Sequence, residues 1–192
     1  MKLYMVRHGQ SETNLRNCFT GWSQVNLTEK GIQDAKRAGE ALEGLHFDRI
    51  YSSDLIRAIQ TAKNAIPGCE PIQDPLLREI GLGELELCSI EECAKRYGDQ
   101  FQVDRANTNF VSYGGESKEM LNVRVKKFLD QLAQDPCEQA VAFAHAGTLL
   151  SALEVVLGGS IIRSHARCFN ASVAVFEYDG NLWRLYSWGL TH

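Results

Sequence analysis

The stretch of this chain that decides most about the fold is residues 2–9, which read KLYMVRHG. Residues 2–6 predict a buried β-strand, which leads directly into Arg7, His8 and Gly9. An imidazole therefore stands beside a cation at the end of a rigid element, and the glycine lets the backbone approach a ligand closely. A neutral imidazole can attack phosphorus, and an arginine presents a planar fork that matches phosphate oxygens. As a tripeptide alone, this pattern also fits a histidine that is simply hydrogen-bonded at a loop end.

Outward from this segment, strands and helices alternate. Residues 49–52 and 140–144 predict strands, and a helical pattern follows each of them directly. Further helices are predicted after the N-cap residue Thr28 and over residues 117–132, and a shorter one after the capping-box pair Ser89 and Glu92. Residues 172–178 and 182–188 are strand-like, with Asp-Gly as a hairpin turn between them. This order predicts an α/β fold whose mostly parallel sheet is flanked by helices on both faces and carries a C-terminal β-hairpin.

Length and composition fit one domain. The 192 residues are 44% hydrophobic and 23% charged, and they contain no internal repeat and no linker. We therefore predict a single domain over residues 1–192, with a rim or cap insertion at about residues 80–115. The net charge of −4 argues against a nucleic-acid partner, because binding to phosphate backbones needs a clustered basic surface.

The six cysteines are scattered, without any Cys-x-x-Cys pair. Neither cysteines nor histidines cluster at ligand spacing, so we expect free thiols, no metal site and no cofactor. The N-terminal apolar run is too short for a signal peptide, and the longest apolar stretch, near residues 149–157, is too short to span a bilayer. We expect a cytoplasmic protein with no membrane partner, and the pattern leaves its oligomeric state open.

The candidate chemical groups meet at one edge of the predicted sheet. His8, Arg57 and His145 all fall at or just beyond the C-terminal ends of strands, where open α/β sheets bind their ligands. Arg57 also lies near the start of a helix, where anions are favoured. Taken singly, Arg57 could equally be a solvated helix arginine, His145 a core histidine and Glu79 a surface carboxylate.

An ordered set of motifs resembles the histidine phosphatase (phosphoglycerate mutase-like) superfamily, in its phosphatase branch, over nearly the whole chain. The motifs are VRHGQSETN (6–14), TGW (20–22), LTEKG (27–31), SSDLIRAIQTA (52–62), LREI (77–80), GE (83–84), GGES (114–117), His145 with Gly147, and NAS (170–172).

The resemblance implies a metal-independent phosphatase that hydrolyses a small phosphorylated metabolite through a phosphohistidine. It assigns His8 as the nucleophile and Glu79 as the general acid and base. The phosphate clamp would be Arg7, Arg57 and a protonated His145, and the further phosphate or substrate contacts would be Asn14, Thr20 and Gly21. Positive side chains of this kind stabilise the charge on a phosphoryl group in transfer.

Two other functions stay open. Thr20-Gly21-Trp22 is also typical of a phosphoglycerate mutase, whereas the short segment between Glu79 and His145 favours a phosphatase. A catalytically inactive module that binds phosphorylated ligands is the second alternative, although the complete set of catalytic groups weighs against it. The insertion departs from the usual family pattern and leaves the substrate open. Its apolar residues and cations either shape specificity or belong to a packed insertion with a solvated face: Leu87, Phe101, Phe110, Tyr113, Lys95, Arg96 and Arg105.

Overall fold

A computed structural model describes residues 1–159 and 166–190. Within these ranges the strands are β1 (Lys2–Arg7), β2 (Arg49–Ser52), β3 (Ile72–Gln73), β4 (Gln139–Ala144), β5 (Val173–Tyr178) and β6 (Trp183–Leu190). They form one sheet in the order β3-β2-β4-β1-β5-β6. The first four strands run parallel, and β5 and β6 pair antiparallel. The mostly parallel sheet and the C-terminal hairpin are therefore confirmed.

The described helices are α1 (Glu12–Leu15), α2 (Glu29–Glu40), α3 (Ile56–Ala65), α4 (Ile90–Asn107), α5 (Lys118–Leu132) and α6 (Ala146–Leu157). Thr28 caps α2, and Ser89 forms the expected capping box with Glu92 at the start of α4. The shorter helix predicted after Ser89 reaches Gly98, whose φ of +62° and ψ of −148° are not helical, and a second helical stretch, which was not predicted, continues to Asn107. Cys93 and Phe101 are buried on either side of Gly98, so packing holds both halves. No described helix is long and apolar enough to cross a membrane.

The sheet has an apolar core on each face because its side chains alternate. Leu3 and Met5 of β1 pack into one cluster with residues of α5 and α6, whereas Val6 packs into the other with residues of α2 and α3. In β4, Ala142 belongs to the first cluster and Phe143 to the second. This is the two-residue period of a strand that is buried on both sides. The expected helices on both faces are thus confirmed.

The insertion is mainly part of the main core. Phe101, Phe110 and Tyr113 are at most 5% exposed and pack in the same cluster as β1, whereas Leu87 is 53% exposed. The three cations named from the sequence are all exposed: Lys95, Arg96 and Arg105. The aromatic side chains of this segment are thus packed and its cations are solvated, and a role of the segment in specificity stays a prediction.

Strand pairing brings the candidate residues together. Arg7 of β1 lies opposite Ala144 of β4, so His8 and His145 follow the paired ends of two neighbouring strands. On the other side of β4, β2 ends at Ser52 and leads into α3, which carries Arg57. Four of the five predicted catalytic residues therefore share one edge of the sheet because the strands are parallel and adjacent: Arg7, His8, Arg57 and His145.

Candidate active site

His8 is a buried imidazole with one defined tautomer. Its side chain is 4% exposed, and Nδ1 lies 2.6 Å from the main-chain oxygen of Gly9. A carbonyl oxygen can only accept, so Nδ1 carries the hydrogen and Nε2 keeps its lone pair when the ring is neutral. Burial and the positive charges of Arg57 and Arg7 lower the pKa of His8 well below 6.5. The ring is therefore neutral at neutral pH and has a nucleophilic nitrogen available.

Two arginines, Arg7 and Arg57, lie near this imidazole. Arg57 is fully buried, and its guanidinium donates to the main-chain oxygens of Gly21, at 2.8 Å, and Ser23, at 3.0 Å. Burial lowers the pKa of Arg57 to about 10, which leaves it charged at neutral pH. Arg7 donates to the oxygen of Cys168. The Nε–H groups of Arg7 and Arg57 are buried and have no partner among the described residues, a costly state that an anion with several oxygens would relieve.

His145 is fully buried, with its ring centroid 5.2 Å from that of His8. Neither ring nitrogen has a hydrogen-bond partner in the described part of the chain. Burial lowers the pKa of His145 well below 6.5, and the positive charge of Arg57 lowers it further. The resemblance implied a protonated clamp residue, but in the free protein the ring is neutral. An incoming phosphate would supply the negative charge that protonation of His145 requires.

Glu79 reaches the same site from an irregular segment. It follows a 3-10 turn at Pro75–Leu77, and its carboxylate accepts the N–H groups of Ile80, at 2.9 Å, and Gly147, at 3.2 Å. Gly147 lies in the first turn of α6, two residues after His145. A Cβ on Gly147 would lie 2.1 Å from Oε1 of Glu79. The carboxylate of Glu79 therefore lies against the first turn of α6, near His145.

The neighbouring carboxylates are placed differently. Glu84 is exposed, with the hydroxyl of Tyr97 3.3 Å from its Oε2. Glu86 accepts the main-chain N–H of Trp22, at 2.8 Å, and the hydroxyl of Ser23, at 2.6 Å. Glu86 thus holds the loop whose carbonyls bind the guanidinium of Arg57. Of these three carboxylates, Glu79 is the one that contacts the first turn of α6.

Asn14 is linked to His8 by the side-chain amide of Asn170. Its Oδ1 accepts the N–H of Ser11, at 3.1 Å, and the amide of Asn170, at 3.3 Å. The same Asn170 nitrogen donates to the main-chain oxygen of His8, at 3.0 Å. Asn170 belongs to the Asn-Ala-Ser motif, and the structure shows that its side chain supports the main chain of His8. A direct role of Asn14 in substrate binding stays a prediction.

Thr20 and Gly21 belong to the loop that supports Arg57. The hydroxyl of Thr20 is hydrogen-bonded to that of Thr13. Gly21 has a φ of +53°, and a Cβ there would lie 2.3 Å from Oε1 of Glu86, so both its backbone conformation and its surroundings favour glycine. Its carbonyl serves Arg57, and contact of either residue with a substrate stays a prediction.

Arg124 is a cation beside Glu79 that the sequence motifs did not indicate. Arg124 of α5 donates to the main-chain oxygen of Glu79, at 3.1 Å, and to the carboxylate of Glu116, at 2.8 Å. The Gly-Gly-Glu-Ser motif contained Glu116, but no local pattern distinguishes Arg124 from the other polar residues of its helix. Its partner segment lies about 45 positions earlier, so only the fold reveals the contact.

A buried, neutral imidazole beside two arginines, at the edge of a parallel sheet, suits the transfer of a phosphoryl group. The family model of the histidine phosphatase superfamily (branch 1) matches residues 3–191. The chain belongs to this superfamily, and its similarity to phosphatases and mutases supports a phosphatase or phosphotransferase activity.

Individual relatives divide between the two activities. The chain is 37% identical over 167 residues to a 2,3-bisphosphoglycerate-dependent phosphoglycerate mutase of Brucella canis, covering 82% of this chain and 81% of the relative. A mycobacterial glucosyl-3-phosphoglycerate phosphatase in complex with VO3 is 26% identical, with a TM-score of 0.86 and 99% coverage of both chains. A putative α-ribazole-5′-P phosphatase from Escherichia coli is 21% identical, with a TM-score of 0.89 and 99% and 96% coverage, and this likeness concerns the fold.

Proposed function

We propose that this protein hydrolyses a small phosphomonoester through a phosphohistidine on His8, with Glu79 as general acid and then general base. The observation that carries the proposal is a buried, neutral His8 whose Nδ1–H is bound to Gly9, beside Arg7 and Arg57. This arrangement leaves Nε2 as a nucleophile next to two cations that suit phosphate oxygens.

In the first step, Nε2 of His8 attacks phosphorus, a P–N bond forms, and the P–O bond to the leaving alcohol breaks. The protonated carboxyl of Glu79 gives its proton to the departing oxygen. Arg7 and Arg57 stabilise the negative charge that spreads over the three other phosphoryl oxygens. His145 lies beside His8 and takes up a proton in the presence of the phosphate dianion, which turns it into a third positive group.

In the second step, a water molecule attacks the phosphoryl group and the P–N bond breaks. The water gives one proton to the carboxylate of Glu79, which restores the acid for the next turnover. His8 returns as a neutral imidazole and inorganic phosphate leaves. The described residues hold no group of three or more His, Cys, Asp and Glu placed for a metal ion, and metal independence stays part of the proposal.

A mutase is the rival activity, and the 37% identity over 167 residues to a phosphoglycerate mutase favours it. The mutase relative is matched over nearly equal shares of both chains, so the two proteins are of similar length. The shortness of the segment between Glu79 and His145 therefore does not separate the two activities. Two further arginines beside the site are already paired, Arg78 with Asp54 and Arg124 with Glu116. They are therefore not available for the second phosphate group of a bisphosphate, which favours hydrolysis of a monophosphate.

The decisive experiment compares the fate of the phosphoryl group, in buffer that contains EDTA. Release of inorganic phosphate is measured on a panel of phosphomonoesters, and interconversion of 2- and 3-phosphoglycerate is measured with 2,3-bisphosphoglycerate present. We expect phosphate release from at least one metabolite and isomerisation far slower than hydrolysis. Isomerisation as the dominant reaction would establish the mutase, and binding of phosphate esters without turnover would establish the inactive module. Activity lost in EDTA and restored by Mg²⁺ or Zn²⁺ would contradict the metal-free mechanism.

A further inference from the structure

We propose that Arg124, in its ion pair with Glu116, is a positioning residue that holds Glu79 where its proton reaches the leaving group. This inference rests on the proposed function, because it concerns the acid of that reaction. Arg124 and Glu116 contact the main chain at Glu79 and Gly81. Both act through the main chain around Glu79.

Arg124 holds the segment before and at the acid. Nη1 donates to the main-chain oxygens of Leu76, at 2.9 Å, and Arg78, at 2.8 Å, while Nη2 donates to that of Glu79, at 3.1 Å. The side chain is only 14% exposed. One guanidinium thus satisfies three carbonyl groups within four residues, a task that suits its rigid fork of donors and that an ammonium performs less well.

Glu116 binds both Arg124 and the chain that follows Glu79. Its two oxygens accept from Arg124, Oε1 from Nε at 3.1 Å and Oε2 from Nη2 at 2.8 Å. Oε2 also accepts the main-chain N–H of Gly81, at 2.8 Å. The ion pair therefore holds the chain both before and after Glu79, which leaves the acid at the centre of a fixed segment.

The segment needs such support because it has no regular partner. Residues 78–82 belong to no helix or strand, so their main-chain groups must find other partners. Two more side chains contribute: Thr148 donates to the oxygen of Arg78, at 2.8 Å, and Trp22 donates from Nε1 to the oxygen of Glu79, at 2.7 Å. A general acid displaced by about 1 Å loses on the order of 100-fold in rate, so holding this segment matters for catalysis.

The test compares Arg124→Met with Arg49→Met. Arg49 makes a similar two-point ion pair, at 2.9 and 3.0 Å, with Asp135, but it lies at the opposite end of β2 from the site. The readout is kcat/KM for 4-nitrophenyl phosphate, whose leaving group needs little protonation, and for an alkyl phosphate, whose alkoxide needs a proton. We expect Arg124→Met to lose on the order of 10- to 100-fold on the alkyl ester and far less on the aryl ester. Arg49→Met should change both substrates equally.

Two additional variants keep the test conclusive. Arg124→Lys should lie between wild type and Arg124→Met in selectivity, and the double variant Glu116→Gln/Arg124→Met replaces Arg124→Met if an unpaired Glu116 prevents folding. Thermal unfolding of each variant checks the fold. Equal losses on the two substrates would mean that Arg124 has a purely structural role, which would overturn the inference.

A second arm introduces Arg124→Met into Glu79→Gln. If Arg124 acts through Glu79, the selective loss should not increase further in this background. A further selective loss would show that Arg124 acts by another route, against the inference. If Glu79→Gln is itself unselective while His8→Ala is inactive, the acid of the proposed function is wrong, and the positioning inference fails with it. The covalent mechanism on His8 would stand in that case.

Discussion

His8 and Glu79 are the two groups that the proposed reaction needs most, and the structure holds them in different ways. His8 directly follows a strand: its N–H binds the oxygen of Ala144 at 2.9 Å. The N–H of Gly9 binds the hydroxyl of Thr61 at 3.1 Å. Glu79 lies on irregular chain, and its main-chain oxygen is held by side chains of Trp22 and Arg124 from distant parts of the sequence.

The difference suggests which part of the site tolerates change. His8 follows the end of a central strand, so its position depends mainly on the sheet, with additional support from the side chains of Thr61 and Asn170. The acid depends on a few side chains, so single substitutions can move it while the sheet and the phosphate clamp remain. Variants of the two regions should therefore differ in kind, one region affecting all substrates and the other affecting those with poor leaving groups.

The largest expected effect is on the nucleophile. His8→Ala should reduce turnover of 4-nitrophenyl phosphate and of alkyl phosphates alike to the background rate, because the covalent route is lost. Phosphate release by the purified variant is the measurement, with thermal unfolding as a check of the fold. Activity close to that of the wild type would refute the assignment of His8.

The next effect tests the acid. Glu79→Gln should slow alkyl phosphates by a factor on the order of 10² to 10⁴, whereas 4-nitrophenyl phosphate should lose far less. Glu84→Gln is the matched control, because this exposed carboxylate lies five residues on and contacts Tyr97 instead of α6. If Glu84→Gln showed the selective loss instead, or if Glu79→Gln slowed both substrates equally, the acid would be misassigned.

A smaller effect comes from displacing the acid without removing it. Gly147→Ala would place a Cβ 2.1 Å from Oε1 of Glu79, the end of a side chain that can move away. We expect a loss on the order of tenfold that is confined to alkyl phosphates, with little change in thermal stability. Gly159→Ala is the control, since among the described residues no atom apart from those of its chain neighbours lies within 4 Å of its added Cβ. An unchanged leaving-group preference in Gly147→Ala would argue against this placement of Glu79.

The smallest effect concerns stability of the free protein. The pKa of His8 and of His145 lies well below 6.5 in the folded state, because both rings are buried beside arginines. The unfolded chain therefore binds more protons than the folded chain as the pH falls below about 6.5, and folding loses free energy. We expect each histidine to contribute up to about 1.4 kcal/mol per pH unit in that window.

Urea unfolding at about pH 7.5 and about pH 5.5 measures this slope, in a range where ordinary carboxylates stay ionised. His145→Asn should lower the slope by the contribution of one histidine. A free energy of unfolding that is independent of pH between these values in the wild type would mean that the two rings are not held neutral.

Some of the site could be predicted from sequence because the signals are local. Arg7 and His8 follow a strand of apolar residues, and Thr28 and Ser89 show their capping roles within three positions. The second helical stretch of α4 could not be predicted in the same way. Gly98 interrupts the helical conformation, and the stretch after it packs against the core through Phe101.

The sequence by itself determined the alternation of strands and helices, and with it the sheet edge at which His8, Arg57 and His145 meet. Periodicity suffices to predict the strands and helices, since it depends on neighbours along the chain, and their alternation favours a parallel sheet. Only the tertiary structure decided that His145 is neutral in the free protein, that Glu79 rather than Glu84 contacts α6, and that Arg124 binds the main chain at Glu79. These features arise from burial and from contacts between distant segments, which leave no periodic trace in the residues that make them.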